Sequence, residues 1–116
     1  MADERLTVAE LTARMHEFVA SKGWYEATSR RPQTPRNLAV SLSLEAAEVL
    51  ECFQWSEAYD PRELASELAD VTLYLLQLAD VCEIDLEQAV LHKLAVNLGR
   101  SWTGAAHSED RDDDQS

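Results

Sequence analysis

The chain has 116 residues, a formal net charge of −12, and only three glycines and three prolines. That length specifies one domain with a modest core, and the charge excludes nucleic acid as a partner, because a polyphosphate chain needs a basic surface. An anionic small molecule would need a cation to bridge it to so acidic a protein.

The sequence shows no alternation of β-branched residues, which argues against a β fold. No run approaches the ~18 apolar residues of a membrane span, and the opening MADERLTVAE holds no apolar leader. A soluble, cytoplasmic protein without membrane contact is therefore expected. Cys52 and Cys82 both lie in apolar stretches and read as reduced core thiols.

In chain order, a first helix is predicted from about Thr7 to Lys22. Leu11, Met15, Phe18 and Val19 repeat at helical spacing, and Gly23 stands just past the end. The segment WYEATSRRPQTPRN follows as a loop, with two of the three prolines. A second helix starts near Arg36 and is expected to run to about Ala58. Asp60-Pro61 then punctuates the chain, and a third helix covers Pro61 to about Cys82. Asp85 suits the N-cap of a fourth helix, with Leu86, Ala89, Val90, Leu94 and Leu98 on one side. From Gly104 onward, GAAHSEDRDDDQS lacks apolar content and reads as a disordered acidic tail, leaving 1–103 as the folded domain. The expected architecture is all-α, a four-helix bundle. The third helix is apolar nearly all round (VTLYLLQLADVC), more than one neighbour can cover, so a homodimer or a dimer of dimers is expected.

Two pairs of acids stand out. Glu45 and Glu48 are three residues apart in LEAAEVLE, and Glu67 and Asp70 repeat that spacing in SELAD. At ~100° per residue, Leu38, Leu42, Ala46, Val49 and Phe53 form the apolar stripe of the second helix. Leu64, Leu68, Val71, Leu75, Leu78 and Cys82 form that of the third. By the same steps of ~100°, Glu45 and Glu67 each fall roughly 60° from the stripe centre, and Glu48 and Asp70 roughly 120° to the same side. Helices packed antiparallel through these stripes would bring all four acids to one cleft. The plainer interpretation is a solvated face. Against it, four carboxylates at one place repel one another unless a cation is present. An all-oxygen donor set favours Mg²⁺, with Mn²⁺ as the alternative, over Zn²⁺. His16, His92 and His107 complete no Glu-x-x-His pair of the kind a di-iron bundle uses.

With these residues in view, the sequence resembles the all-α nucleoside triphosphate pyrophosphatases of the MazG type, in particular the branch that includes dCTP pyrophosphatase. The likeness runs from about Trp24 to Trp102. It rests on the ordered Glu-x-x-Glu and Glu-x-x-Asp pairs, PRNLA before the second helix, FQW ending at Trp55, and IDLEQAVLHKLAVN in the fourth helix. The resemblance implies Mg²⁺-dependent hydrolysis of a nucleoside triphosphate to the monophosphate and pyrophosphate. It places the metal on Glu45, Glu48, Glu67 and Asp70, with Glu45 and Glu48 also serving the attack of water. Lys93, Asn97 and Arg100 match phosphate contacts. Trp24 and Trp55 match aromatics beside the base, whose polar edge would be read near Gln33 and Asn37. Relatives commonly carry His where this chain has Gln33, and the loop after Trp24 is longer here. The implied preference is for dCTP or a similar pyrimidine. The alternatives are a related hydrolase acting on dUTP or another nucleotide, and a non-catalytic helical binding module.

Overall fold

A computed structural model describes residues 5–24, 29–30 and 32–101, the side chains of Arg100 and Ser101 excepted. It consists of four helices: α1 (Val8–Ser21), α2 (Pro35–Glu51), α3 (Pro61–Val81) and α4 (Leu86–Ser101). No strand occurs among the described residues, and none of their helices is long and apolar enough to cross a membrane. The expected tail, 104–116, lies outside the described residues. The chain divides into two compact units, Met1–Leu86 and Glu87–Ser116. The first holds α1 to α3, and the second holds α4 beyond its first residue.

The helix ends follow local chemistry. At α1 the Thr7 hydroxyl accepts from the Glu10 N–H at 3.1 Å, and the Thr7 N–H donates to Glu10 Oε1 at 2.8 Å, a reciprocal capping box. Thr34 caps α2 by accepting from the Asn37 N–H, with Pro35 at the first helical position. Asp60 does the same for α3 through the Arg62 N–H, followed by Pro61.

Two C-termini close in the same way. After α1, Gly23 adopts φ +72°, its N–H donates to the Ala20 carbonyl, and the Trp24 N–H reaches back to Val19. After α3, Glu83 takes the equivalent place at φ 59°, with Glu83 N–H to Asp80 and Ile84 N–H to Ala79. A side chain with a Cβ is costly in this left-handed conformation, by roughly 1 kcal/mol. Glu83→Gly is therefore expected to stabilise the fold by about 0.5–1 kcal/mol, read as a rise in the midpoint of urea unfolding at unchanged slope.

The described elements of the first unit are arranged as antiparallel neighbours. Gln33, before α2, meets Gln77 near the end of α3, while Phe53 and Tyr59 stack across the α2–α3 turn with ring centroids 5.3 Å apart. Along α1, His16 Nε2 lies 2.6 Å from Asp80 Oδ2, and Val8 and Leu86 pack at the same core as Met15, Val19 and Leu76. Met15, Val19, Leu38 and Leu76 are buried to 5% exposure or less.

Three expectations need correction. The second helix stops at Glu51 and not near Ala58: Phe53 N–H turns back to Leu50, Gln54 N–H to Glu51, and Ser56 Oγ takes the Ala58 N–H. Hydroxyl and ring contacts in this turn outcompete helix continuation. On α3, Leu76, Gln77 and Ala79 are buried while Leu68 and Leu75 of the expected stripe are exposed. The helix meets α2 on one flank and α1 on the other, so its most buried positions lie towards α1, off the single stripe. Nor are the cysteines core residues: Cys52 is half-buried and Cys82 exposed, both as free thiols.

Candidate functional site

Glu45 comes from the middle of α2, and Glu67 and Asp70 from one turn of α3. Antiparallel packing brings these two turns side by side. Each of the three residues offers one carboxylate oxygen, and these oxygens lie within 4.8 Å of one another. Ligands of one small hard cation span about 4 Å at metal–oxygen distances of ~2.1 Å. All three residues are half-buried, whereas Glu48 is exposed at the rim.

The electrostatics show what the cluster lacks. Desolvation, then the charges of Glu48 and Asp70, push the Glu45 carboxyl above the ordinary carboxylate range. Glu67 is raised as well, first by desolvation, then by the charge of Glu48, to whose carboxylate a protonated Glu67 can donate. Glu45 Oε1 and Glu67 Oε1 are buried and find no hydrogen-bond partner. A buried carboxylate oxygen without a donor is costly, and a hard cation is the group that an all-carboxylate set fits. The residues present therefore fit a divalent metal, with Glu45, Glu67 and Asp70 as holders and Glu48 close by.

Two cavities, each about 270 Å³, share Trp24 and Tyr74, and one of them is lined by Asp70 of this cluster. One is largely apolar, from Leu11, Phe18 and Leu73, and reaches Asp70 at one side and Gln77 at another. The second is lined by Trp24, Arg30, Gln33, Asn37 and Ser41. Trp24 is delivered there by the turn that closes α1 and is held edge-on by Phe18, at 5.8 Å and 87°. Three of the residues expected beside a base, Trp24, Gln33 and Asn37, thus share one cavity. Trp55 does not join them: with α2 ending early it stands in the following turn, 88% exposed. Lys93 and Asn97 lie on α4 in the second unit, together with Arg100, whose side chain lies outside the described residues.

Sequence reasoning missed Tyr74 and Gln77. Both were findable: Tyr74 is four residues after Asp70 and Gln77 seven, so the three share one face of α3. Gln77 is also the one amide in an otherwise apolar run.

The sequence model of the MazG-like family matches residues 40–113, well over half of the chain. The chain belongs to the MazG-like family. Among curated proteins, this MazG-like chain is similar to dCTP pyrophosphatase 1 of Bos taurus, 40% identical over 98 residues that cover 75% of the chain and 55% of the relative. It is also similar to dCTP pyrophosphatase 1 of Homo sapiens, 38% identical over 109 residues, 84% of the chain and 61% of the relative. The MazG-like chain thus spans a little over half the length of these relatives. Among solved structures it resembles a pyrophosphatase from Archaeoglobus fulgidus with a TM-score of 0.65 and 39% identity, covering 84% of this chain and 94% of that one.

Proposed function

We infer that this MazG-like protein hydrolyses a (deoxy)nucleoside triphosphate to the monophosphate and pyrophosphate with Mg²⁺, Mn²⁺ being the alternative ion. The observation that carries the reading is the cluster of Glu45, Glu67 and Asp70, with two orphaned buried oxygens, whose Asp70 lines a cavity that shares Trp24 and Tyr74 with the one holding Gln33 and Asn37. The family membership and the pyrophosphatase relatives support the same chemistry.

In this reading Glu45, Glu48, Glu67 and Asp70 hold the ion, which when bound neutralises phosphate charge and lowers the pKa of a ligating water. Glu45 and Glu48 orient the attacking water and accept its proton. Water oxygen bonds to the α-phosphorus, and the bond from that phosphorus to the α–β bridging oxygen breaks, so the bridging oxygen leaves with pyrophosphate. Lys93, Asn97 and Arg100 serve as phosphate contacts. Trp24 stacks on the base, and a dCTP-like pyrimidine is preferred. The exposed Leu44, Leu50, Leu68 and Leu75 support assembly into a homodimer or a dimer of dimers.

The test is a panel of dNTPs and NTPs with Mg²⁺, reading pyrophosphate against orthophosphate. The expected product is pyrophosphate with the nucleoside monophosphate, fastest from dCTP. Release of orthophosphate, or no turnover of any triphosphate, would overturn the reading.

A further inference from the structure

Three hydroxyls inside these helices turn back on their own backbone. Thr12 Oγ1 donates to the Val8 carbonyl at 2.8 Å, Ser43 Oγ to Ala39 at 3.0 Å, and Thr72 Oγ1 to Leu68 at 2.8 Å. A side chain bonded in this way has committed its only hydrogen. Ser41 is different. It stands within α2, half-buried, on the wall of the polar cavity with Trp24, Asn37 and Tyr74. Its hydroxyl makes no hydrogen bond to another described residue. Ser66 of α3 shares that property, but it is exposed and lines neither cavity. The Ser41 hydroxyl therefore keeps one donor and two acceptor positions for a bound molecule.

The position of Ser41 along the cavity sets which part of a nucleotide meets it. Asn37, Ser41 and Glu45 follow one another at four-residue intervals on α2, within roughly 80° by ~100° steps. Each interval rises about 6 Å, at ~1.5 Å per residue. On the antiparallel α3, Tyr74 stands four residues after Asp70 and lines the same cavity. Ser41 and Tyr74 are thus level with one another, each one turn from a carboxylate of the cluster. Asn37 lies a further turn away, towards the end where Gln33 meets Gln77.

A nucleotide with its phosphates at the carboxylates and its base beside Trp24 and Asn37 brings its pentose to the level of Ser41. The groups that a pentose offers a protein hydroxyl are its own hydroxyls, each a donor and an acceptor.

We propose that Ser41 binds a hydroxyl of the substrate's pentose, the 3′-hydroxyl when the substrate is a deoxynucleotide. The proposal rests on the nucleotide-hydrolase reading above but makes a separate demand of the binding site.

The experiment measures calorimetric binding of dCMP, 2′,3′-dideoxy-CMP and CMP with Mg²⁺ in the wild type, Ser41→Ala and Ser43→Ala. Alanine favours the helix at both positions, and Ser43, exposed and bonded to its own helix, is the control. In the wild type the dideoxynucleotide is expected to bind about three- to tenfold more weakly than dCMP, the worth of one neutral hydrogen bond. Ser41→Ala weakens dCMP and CMP by that same factor and leaves the dideoxynucleotide within about twofold, so the two losses do not add. Ser43→Ala changes none of the three. Loss confined to CMP in Ser41→Ala upholds the pentose contact and assigns it to the 2′-hydroxyl.

Equal weakening of all three nucleotides in Ser41→Ala, or no weakening of any, overturns the proposal. So does the same loss in Ser43→Ala, or failure of all three to bind the wild type. Equal wild-type affinity for the three overturns it without recourse to a variant. Hydroxyl-dependent binding without triphosphate turnover would uphold the proposal and defeat the hydrolase reading alone.

Discussion

Asp70→Asn is expected to lower kcat/KM for the preferred triphosphate by at least about 10³-fold, some 4 kcal/mol of transition-state stabilisation, while leaving the helical signal intact. The carboxylate oxygen of Asp70 is one of three within 4.8 Å, and an amide in its place weakens the hold on a hard cation. The apo protein should not suffer. Asp70 contributes to the raised carboxyls of both Glu45 and Glu67, so removing its charge relieves repulsion, and the apo Tm stays level or rises. The pH dependence follows with the same sign. The folded pKa values of Glu45 and Glu67 lie above the ordinary value, so their contribution to stability is fully present below the unfolded pKa and is lost as pH rises through the folded values. Metal-free protein should therefore be less stable at neutral than at mildly acid pH through this pair, and divalent metal should reverse that trend at neutral pH. Turnover within about tenfold of wild type, or loss of helix in parallel with activity, would contradict the assignment of Asp70.

The largest effect on stability is expected at Leu76→Ala. Leu76 is 5% exposed and sits against Met15 and Val19, where α1 closes over α3. Truncation removes three buried carbons and leaves a cavity that two helices cannot easily collapse into, at a cost of about 2–4 kcal/mol. For a unit of this size, thermal unfolding should move down by roughly 10–25 °C, since each kcal/mol is worth about 4–8 °C. A shift below about 4 °C would mean that the α1–α3 contact contributes little to holding the unit together.

How much of this was legible in the sequence depends on what sets each feature. The start of α1 was legible because Thr7 and Glu10 cap locally, and its end because Gly23 takes the left-handed turn. Asp60-Pro61 fixed the start of α3 for the same reason. The end of α2 was not, because the apolar spacing through Phe53 and Trp55 imitates a continuing helix. What stops it is a contact across the turn, between Phe53 and Tyr59, that no periodicity records. The buried face of α3 was misjudged because one stripe was assumed for a helix with two neighbours. Three of the four acids converge as their angular offsets on antiparallel helices require, whereas Glu48, farther round α2, stays exposed. Trp24, Gln33 and Asn37 were named as base-side residues, and one cavity gathers them. Gln77 lies off the expected stripe of α3, although an amide within an apolar run is itself a signal.

Manganese binding followed by electron paramagnetic resonance tests the metal centre at its root, because it needs neither substrate nor turnover. The wild type is expected to bind Mn²⁺ and to release it as Mg²⁺ is added. Asp70→Asn and Glu67→Gln should each weaken binding by at least about tenfold, or 1.4 kcal/mol, with circular dichroism unchanged. Mn²⁺ held equally well by wild type and both variants would place the ion elsewhere on this acidic chain and contradict the assignment of Glu45, Glu67 and Asp70 as its site.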